Sequence, residues 1–158
     1  MKYLLLTTLL TFSLGSFACE EIKIAHDKLL ESNFSVNKNF SLSMDNENKI
    51  KLTNFIEYNH GSLSHSKEDV LFVAKDFKYE EDNTEHFLIS DFTCENIEIE
   101  NEKVTINFAL DDKNYTSYFL YQKEKLIPVR TIVEAEVSIL FMSWDIKSIA
   151  DYSNFKQF

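Results

Sequence analysis

Glycine and proline are scarce in this sequence, which has two Gly and one Pro among 158 residues. So little glycine excludes a phosphate-cradling loop and the Gly-x-Ser-x-Gly turn that carries a catalytic serine. Turns have to be made by Asn and Asp, which tolerate a left-handed backbone better than other non-glycine residues. Because the chain has no catalytic signature, we predict no catalytic residue, no cofactor and no metal ion, and we lean away from an enzyme.

Basic residues are also fewer than acidic ones. The chain has 16 Lys and Arg against 26 Asp and Glu, a formal net charge of −10, and Arg130 is its only arginine. Such an acidic surface repels nucleic acid and anionic lipid headgroups, so neither is an expected partner. It favours a basic protein or a cation. The lone Arg130 among Glu-rich strands is expected to form a structural ion pair.

Long uncharged apolar stretches are absent except at the N-terminus. There, Lys2 precedes the apolar stretch Tyr3 to Leu14, and small residues lead to Ala18, a pattern typical of a cleavable signal peptide. The stretch is shorter than the ~20 residues that a transmembrane helix needs. We therefore predict that residues 1–18 are a signal peptide. Residues 19–158 are then one soluble domain without a transmembrane segment, and the protein is periplasmic or secreted.

Cysteine occurs at only two positions, Cys19 and Cys94. In the oxidising compartment that an exported protein reaches, two thiols of a small domain are expected to form a disulfide. The alternative is that Cys19, the first residue after the predicted cut, carries the lipid of an outer-membrane lipoprotein. Ser16 and Phe17 match that signal poorly, so the disulfide is the preferred interpretation. The excess of Lys over Arg, with frequent Asn and Ile, suggests a bacterial source.

Hydrophobic periodicity predicts an N-terminal helix followed mainly by strands. Ile22, Ala25 and Leu29 recur at helical spacing within residues 20–32. From Phe34 onward apolar and polar residues alternate, with short polar turns between the alternating stretches. The fold class is therefore α+β, mainly β, with seven or eight antiparallel strands in a meander. Such a meander either wraps the helix or curls into a barrel.

Segments near the C-terminus and in the middle of the chain are less regular. Alternation up to Phe141 predicts a strand, but residues 133–146 also fit helical spacing, and both interpretations stay open. Residues 145–152 are predicted to form a short C-terminal helix. Two further strands are predicted at residues 70–79 and 87–93.

The most polar and least regular segment, residues 59–69, is predicted to be a loop and is the first candidate for a binding site. Its imidazole and carboxylate groups are types that bind divalent ions, but their spacing matches no established metal motif. We therefore expect a solvated binding loop without a metal. The candidate residues are His60, Ser62, His65, Glu68 and Asp69.

Acidic residues recur at alternate positions of two predicted strands, which places them in rows on one face of the sheet. A carboxylate-lined face of this kind is suited to dock a basic protein and to speed its capture. The residues of this candidate acidic face are Glu98, Glu100, Glu134 and Glu136.

Three functional hypotheses follow. The first is a non-enzymatic exported binding protein, of the inhibitor or immunity type, whose partner is a basic envelope or secreted protein. The second is a small-molecule or lipid carrier with an aromatic-lined cavity, because Tyr115, Tyr118, Phe119 and Tyr121 crowd one strand. The third is a hydrolase whose active-site residues are dispersed along the chain, with a histidine as the acid–base group.

Overall fold

One helix and eight strands form the fold in the computed structural model, which describes residues 18–78, 86–88 and 92–158. The predicted signal peptide, except Ala18, lies outside these described residues. Helix α1 spans residues 18–31. The strands are β1 Phe34–Met44, β2 Glu47–Asn59, β3 Ser62–Val73, β4 Ile97–Glu100, β5 Lys103–Leu110, β6 Lys113–Gln122, β7 Lys125–Ile139 and β8 Met142–Gln157, with 3-10 turns at His86–Leu88 and Cys94–Asn96.

The strands form a single antiparallel sheet in the order β3-β2-β1-β8-β7-β6-β5-β4. It consists of two meanders, β1 to β3 and β4 to β8, which are joined where β1 pairs with β8. Strands β3 and β4 are its edges, and within the described ranges no pairing between them closes the sheet. The predicted antiparallel, mainly β fold with an N-terminal helix is confirmed, and the sheet is open instead of forming a closed barrel.

Helix α1 packs on one half of one face of the sheet, which we call the inner face. Its apolar side is buried at the predicted helical spacing, through Ile22, Ala25 and Leu29. These side chains join a core that includes the fully buried Phe34 and Phe119. Because α1 is short, the inner face is covered at the end that carries the β2–β3 and β6–β7 turns, and the other end is left without the helix.

The predicted disulfide is present between Cys19, in the first turn of α1, and Cys94, in the 3-10 turn before β4. It connects positions 75 residues apart in sequence. The bond therefore fixes the start of the helix to the far meander of the sheet.

Turns between strands are made almost without glycine, as its scarcity predicts. Asp45–Asn46 and Asp111–Asp112 are two-residue turns in which both residues have positive φ. The exception is Gly61, with φ +71°, where an added Cβ atom would lie 2.6 Å from the backbone oxygen of Leu30. Glycine is required at this turn because the end of α1 approaches it closely.

The predicted C-terminal helix is wrong: residues 145–152 belong to β8, the longest strand of the sheet. Residues 133–146 form the end of β7, a tight turn and the start of β8, so the strand interpretation of this segment is confirmed. Its fit to helical spacing has a simple cause. Val133 and Val137 are four residues apart, a spacing that puts two side chains on the same face of either a helix or a strand.

One other predicted strand ends early, and the described residues of another are not in a strand. Strand β3 stops at Val73, and residues 75–76 form a turn. Within the predicted strand at 87–93, residues 87–88 belong to a 3-10 turn, residues 89–91 lie outside the described residues, and residues 92–93 are not in a strand. The C-terminal residues, which were predicted to be helical, form the eighth strand, β8.

Candidate functional site

The segment at residues 59–69, predicted to be a binding loop, is in fact the last residue of β2, the turn His60–Gly61 and the first part of edge strand β3. The His60 amide donates to Asn33 Oδ1 at 3.1 Å, and His60 Nδ1 lies 2.8 Å from the carbonyl oxygen of Glu31. These bonds tie the β2–β3 turn to the end of α1. His60 therefore has a structural contact that explains its position without a ligand.

The other residues of this candidate site are separated because side chains alternate between the two faces of a strand. Glu68, opposite the buried Asn54, faces inward, whereas His65 and Asp69 face outward. Ser62 is the first residue of β3 and is exposed beside the turn. Within the part of the chain that the structure describes, no group of three or more His, Cys, Asp or Glu side chains is arranged to hold a metal ion.

The four glutamates of the candidate acidic face lie on the outer face of the sheet, in two pairs separated by β5 and β6. The pair on β7 has polar partners. Lys147 Nζ lies 2.7 Å from Glu134 Oε1, and Glu136 accepts a hydrogen bond from a serine of β8. The pair on edge strand β4, Glu98 and Glu100, is exposed. The structure therefore does not bring the four carboxylates into one row.

Glu98 and Glu100 line a shallow groove of about 640 Å³ on the outer face. The Arg130 Nε atom lies 2.5 Å from Asp151 Oδ1 in the same groove, which confirms the predicted structural ion pair of the only arginine. The hydrogen bond to Asp151 raises the pKa of the Arg130 guanidinium. Tyr118 from the aromatic strand β6 also lines this groove.

The half of the inner face that α1 leaves uncovered forms a cleft of about 380 Å³, partly open to solvent. Its volume falls within the range of about 300–1,000 Å³ that is typical of small-molecule sites. The cleft straddles the β1–β8 pairing, so both meanders contribute to it. Most of its lining is aliphatic or aromatic and includes Phe40, Leu42, Leu52, Val133, Val137 and Ile146.

The charged residues that line the cleft are mainly basic. Among the described residues, Lys38, Lys78 and Lys113 line it, against a single carboxylate, Glu68. Lys38 is buried in the sheet, whereas Lys78 and Lys113 are exposed. A cleft with a basic excess is unusual in a chain whose formal net charge is −10. This combination can accept an apolar chain along the aliphatic lining and an anionic group beside an ammonium.

Lys38 is only 6 % exposed, although lysine is rarely found inside proteins. It lies opposite Asn54 on β2 and opposite Tyr152 on β8. Its Nζ atom is 5.9 Å from the centroid of the Phe40 ring. Glu68 belongs to the same cross-strand row, one strand beyond Asn54. The lysine thus brings a positive charge and polar neighbours into a cleft whose lining is mostly apolar.

The aromatic strand β6 does not supply the aromatic groups of this cleft. Tyr115 and Phe119 are buried in the core, where the Tyr115 ring stacks on Phe108 with centroids 4.8 Å apart. Tyr118 faces outward. The expectation that β6 forms the wall of a cavity therefore does not apply here. The aromatic residues of the cleft are Phe40, Phe77 and Tyr152.

Sequence reasoning missed the cleft because its lysines are far apart in the chain and lie on different elements. One signal was available. The residues of β1 alternate, with Val36, Lys38 and Phe40 at inward positions, so a charge stands where an apolar side chain is expected.

His26 is buried on the inner side of α1, away from the cleft. Its Nε2 donates to the carbonyl oxygen of Phe87 at 3.0 Å, and its ring lies edge-on to Phe92 with centroids 4.9 Å apart. Burial lowers the pKa of His26, and the hydrogen bond to Phe87 opposes this effect. Among the described residues, Nδ1 finds no hydrogen-bond partner. His26, His60 and His65 therefore lie in three separate places, which gives the hydrolase hypothesis no support.

In the part of the chain that is described, no helix has the length and apolar character needed to cross a membrane. No protein-family model matches the chain, and no curated protein matches it. Among solved structures, the chain is similar to one described as "lipid-protein interactions in lipovitellin", with 6% identity and a TM-score of 0.33. The match covers 78% of this chain and 25% of that one, so this chain spans about a quarter of its length. A likeness this distant carries no argument about fold or function.

Proposed function

We propose that this protein is a non-enzymatic binding protein or carrier for a small amphiphilic anion, such as a fatty acid. The observation that carries the proposal is the inner cleft, in which the described residues combine an aliphatic lining with three lysines and one glutamate. The apolar chain of the ligand lies against β1, β7 and β8, and its headgroup lies near the lysines. Export through the predicted signal peptide, with a periplasmic or secreted location, is part of this proposal.

The shape of the sheet supports a carrier. The β1–β8 pairing runs beneath the cleft, so a ligand contacts both meanders at once. The disulfide and helix α1 secure the opposite half of the inner face. The cleft therefore rests on a rigid framework and stays partly open, as a site that loads and releases its ligand requires.

Filling the cleft tests the proposal. Ala135 lines it, and its replacement by phenylalanine, Ala135→Phe, occupies the space that the ligand's chain needs. Ala109, on the exposed side of β5, provides the matched control Ala109→Phe. Binding of dodecanoate is measured by isothermal titration calorimetry for the wild type and both variants.

We expect the Ala135→Phe variant to bind dodecanoate at least roughly tenfold more weakly, because an overfilled pocket excludes the chain. The Ala109→Phe variant should bind like the wild type. Circular dichroism establishes that both variants are folded. Equal dodecanoate affinities for the wild type and Ala135→Phe, or no binding by any of the three proteins, would overturn the proposal.

A second function, the docking of a basic envelope or secreted protein as an inhibitor or immunity protein would, has support from the outer groove. This groove combines the exposed Glu98 and Glu100 with apolar wall residues such as Leu120 and Ile132. Carboxylates at the rim of an apolar groove attract a basic partner and speed its association.

Charge removal in two places tests this second proposal. The pair Glu98→Gln and Glu100→Gln removes charge at the groove, and the pair Glu134→Gln and Glu136→Gln removes the same charge elsewhere on the outer face. A partner captured from envelope extract at low salt should be lost with the first pair and kept with the second. Equal retention by both double variants would rule out the groove as its docking site.

A further inference from the structure

The hairpin of β7 and β8 projects beyond the rest of the sheet. Its neighbours end early: β6 begins opposite Ala135, and β1 ends opposite Ile146. Within the described sheet, residues 137–144, which we call the arm, pair only with one another, as Val137 does with Trp144. Three paired positions on each strand, at about 3.3 Å per residue, give an arm roughly 10 Å long.

The base of the arm is fixed to the neighbouring turn. The Asp45 amide donates to the carbonyl oxygen of Asp145 at 2.9 Å, and the Asp145 amide donates to Asp45 Oδ1 at 3.0 Å. The arm is therefore held at a defined angle where it leaves the sheet.

The tip of the arm is apolar and almost completely exposed. Leu140 and Phe141 are 90 % and 101 % exposed, and their neighbours Ile139 and Met142 are 56 % and 59 % exposed. The whole arm, with the sequence VSILFMSW, has no charged residue. Single exposed apolar residues are common on protein surfaces, but four in succession at one tip mark an interaction site.

The residues of the arm's turn are unfavourable for a free surface turn. Leu140 has φ +58°, a left-handed conformation that is strained for leucine. The turns Asp45–Asn46 and Asp111–Asp112 at the same end of the sheet also have positive φ, and their residues are polar and suited to it. Leucine is thus unfavourable here both for the backbone of the turn and for contact with water. Residues that oppose local stability in this way are expected at functional sites.

We propose that the arm inserts its tip into the interfacial region of a zwitterionic lipid bilayer. A stable protein interface buries about 800 Å² on each partner, more than four side chains on a narrow tip provide. A bilayer accepts such a protrusion without a matching surface. Trp144, the only tryptophan, lies half-buried at the base of the arm, and tryptophan is favoured at the level of lipid headgroups.

The charges around the arm select the kind of bilayer. Glu136 and Asp145 flank its base, and Asp45, Asp111 and Asp112 lie in the turns at the same end of the sheet. These carboxylates repel anionic headgroups, so the tip enters neutral or zwitterionic lipid. The inference does not depend on the proposed function. The inner side of the arm continues the inner row of β7 from Val133 and Val137, so membrane contact would place the mouth of the cleft beside the lipid.

The only tryptophan of the chain makes the test direct, because its emission reports on the arm alone. The disulfide-bonded full domain is mixed with phosphatidylcholine vesicles, and vesicle flotation is measured together with the Trp144 emission wavelength. We expect co-flotation with a blue shift of Trp144. Both should weaken when part of the phosphatidylcholine is replaced by phosphatidylglycerol.

Two variants of the arm separate insertion from a general loss of structure. Leu140→Gly with Phe141→Asn places glycine at the position of positive φ, so the hairpin is retained or strengthened. Ile139→Thr with Met142→Thr keeps strand propensity but reduces apolar surface. Each should lower vesicle partitioning by roughly tenfold or more. The matched control is Ile24→Gln, which removes a half-exposed apolar side chain from the outer side of α1 and should partition like the wild type.

Three outcomes would overturn the proposal: no flotation of the wild type, equal partitioning of the arm variants, or a blue shift without vesicles that accompanies a dimer in sedimentation. The last result would identify a second copy of the chain as the occupant. Dodecanoate binding measured on the arm variants distinguishes the two proposals, because the cleft should be intact when the arm is altered.

Discussion

Lys38 lies directly opposite Tyr152 across the pairing of β1 with β8. Among the described strands, this is the one pairing that joins the two meanders of the sheet, and both residues line the inner cleft. A buried lysine is thus located where two parts of the chain, more than a hundred positions apart, come together. Strands of both meanders therefore position the ammonium group that is proposed to bind the headgroup of the ligand.

Replacement of Lys38 by methionine should weaken dodecanoate binding by roughly tenfold or more, because hydrogen bonds to charged groups contribute about 1.5–3 kcal/mol. Methionine keeps most of the volume of the side chain and removes its charge. Calorimetry measures the change in affinity. Lys51→Met, at an exposed position of the neighbouring strand, is the matched control and should bind normally. Unchanged binding by the Lys38→Met variant would contradict a role for this ammonium group.

The buried His26 should make the free energy of unfolding depend on pH. Burial lowers its pKa in the folded state below the ordinary value of 6.5, so the unfolded chain takes up a proton first as the pH falls. The stabilisation by neutral His26 is therefore complete above about pH 6.5 and is lost as the pH falls below that value.

Urea denaturation between about pH 7.5 and 5.5 measures this effect, in a range above the titration of most carboxylates. The free energy of unfolding should decrease toward the acidic end, and the His26→Gln variant should show a smaller decrease. The Ser62→Gln variant, which alters an exposed residue without a titratable side chain, should keep the wild-type slope. The same slope in all three proteins would show that His26 does not titrate differently on folding.

Removal of the disulfide should lower the free energy of unfolding by about 4 kcal/mol, because the Cys19–Cys94 bond closes a loop over 75 positions. The double variant Cys19→Ser and Cys94→Ser tests this by chemical denaturation, alongside the wild type with and without reductant. The reduced wild type should resemble the double variant. Equal stability of oxidised and reduced protein would mean that the bond does not constrain the unfolded chain.

The fate of Cys19 also tests the predicted export of the chain. We expect the intact mass of the exported protein to correspond to residues 19–158 with two hydrogens lost to the disulfide. A mass increased by a lipid would instead identify the lipoprotein alternative, and retention of residues 1–18 would contradict signal cleavage.

Much of the sheet could be predicted from alternation because most strands have one buried and one solvated face. The same rule fails at edge strand β3, where residues 62–69 are polar on both faces apart from Leu63, so that the sequence predicts a loop. An edge strand has a hydrogen-bonded neighbour on only one side, and polar side chains suit its exposure. Alternation is also interrupted within β7, because Val129 has no partner between Pro128 and Arg130 in the pairing with β6. This bulge changes the face on which the following residues lie.

The cleft and the arm could not be predicted, for a different reason. Lys38, Lys78 and Lys113 share a surface only because β1 pairs with β8, and no local pattern encodes that pairing. The apolar run at residues 139–142 is visible in the sequence, where it is typical of a buried segment. The structure shows that it lies at the tip of a hairpin.

The central claim is that an acidic protein holds a cleft for an amphiphilic anion, and headgroup charge tests it most directly. Calorimetry compares dodecanoate with dodecyltrimethylammonium, two amphiphiles with the same apolar chain and opposite charge, below their micellar concentrations. If the lysines of the cleft determine binding, dodecanoate binds more tightly by roughly tenfold or more, despite the overall charge of the protein. Tighter binding of the cation, or binding of neither, would contradict the account.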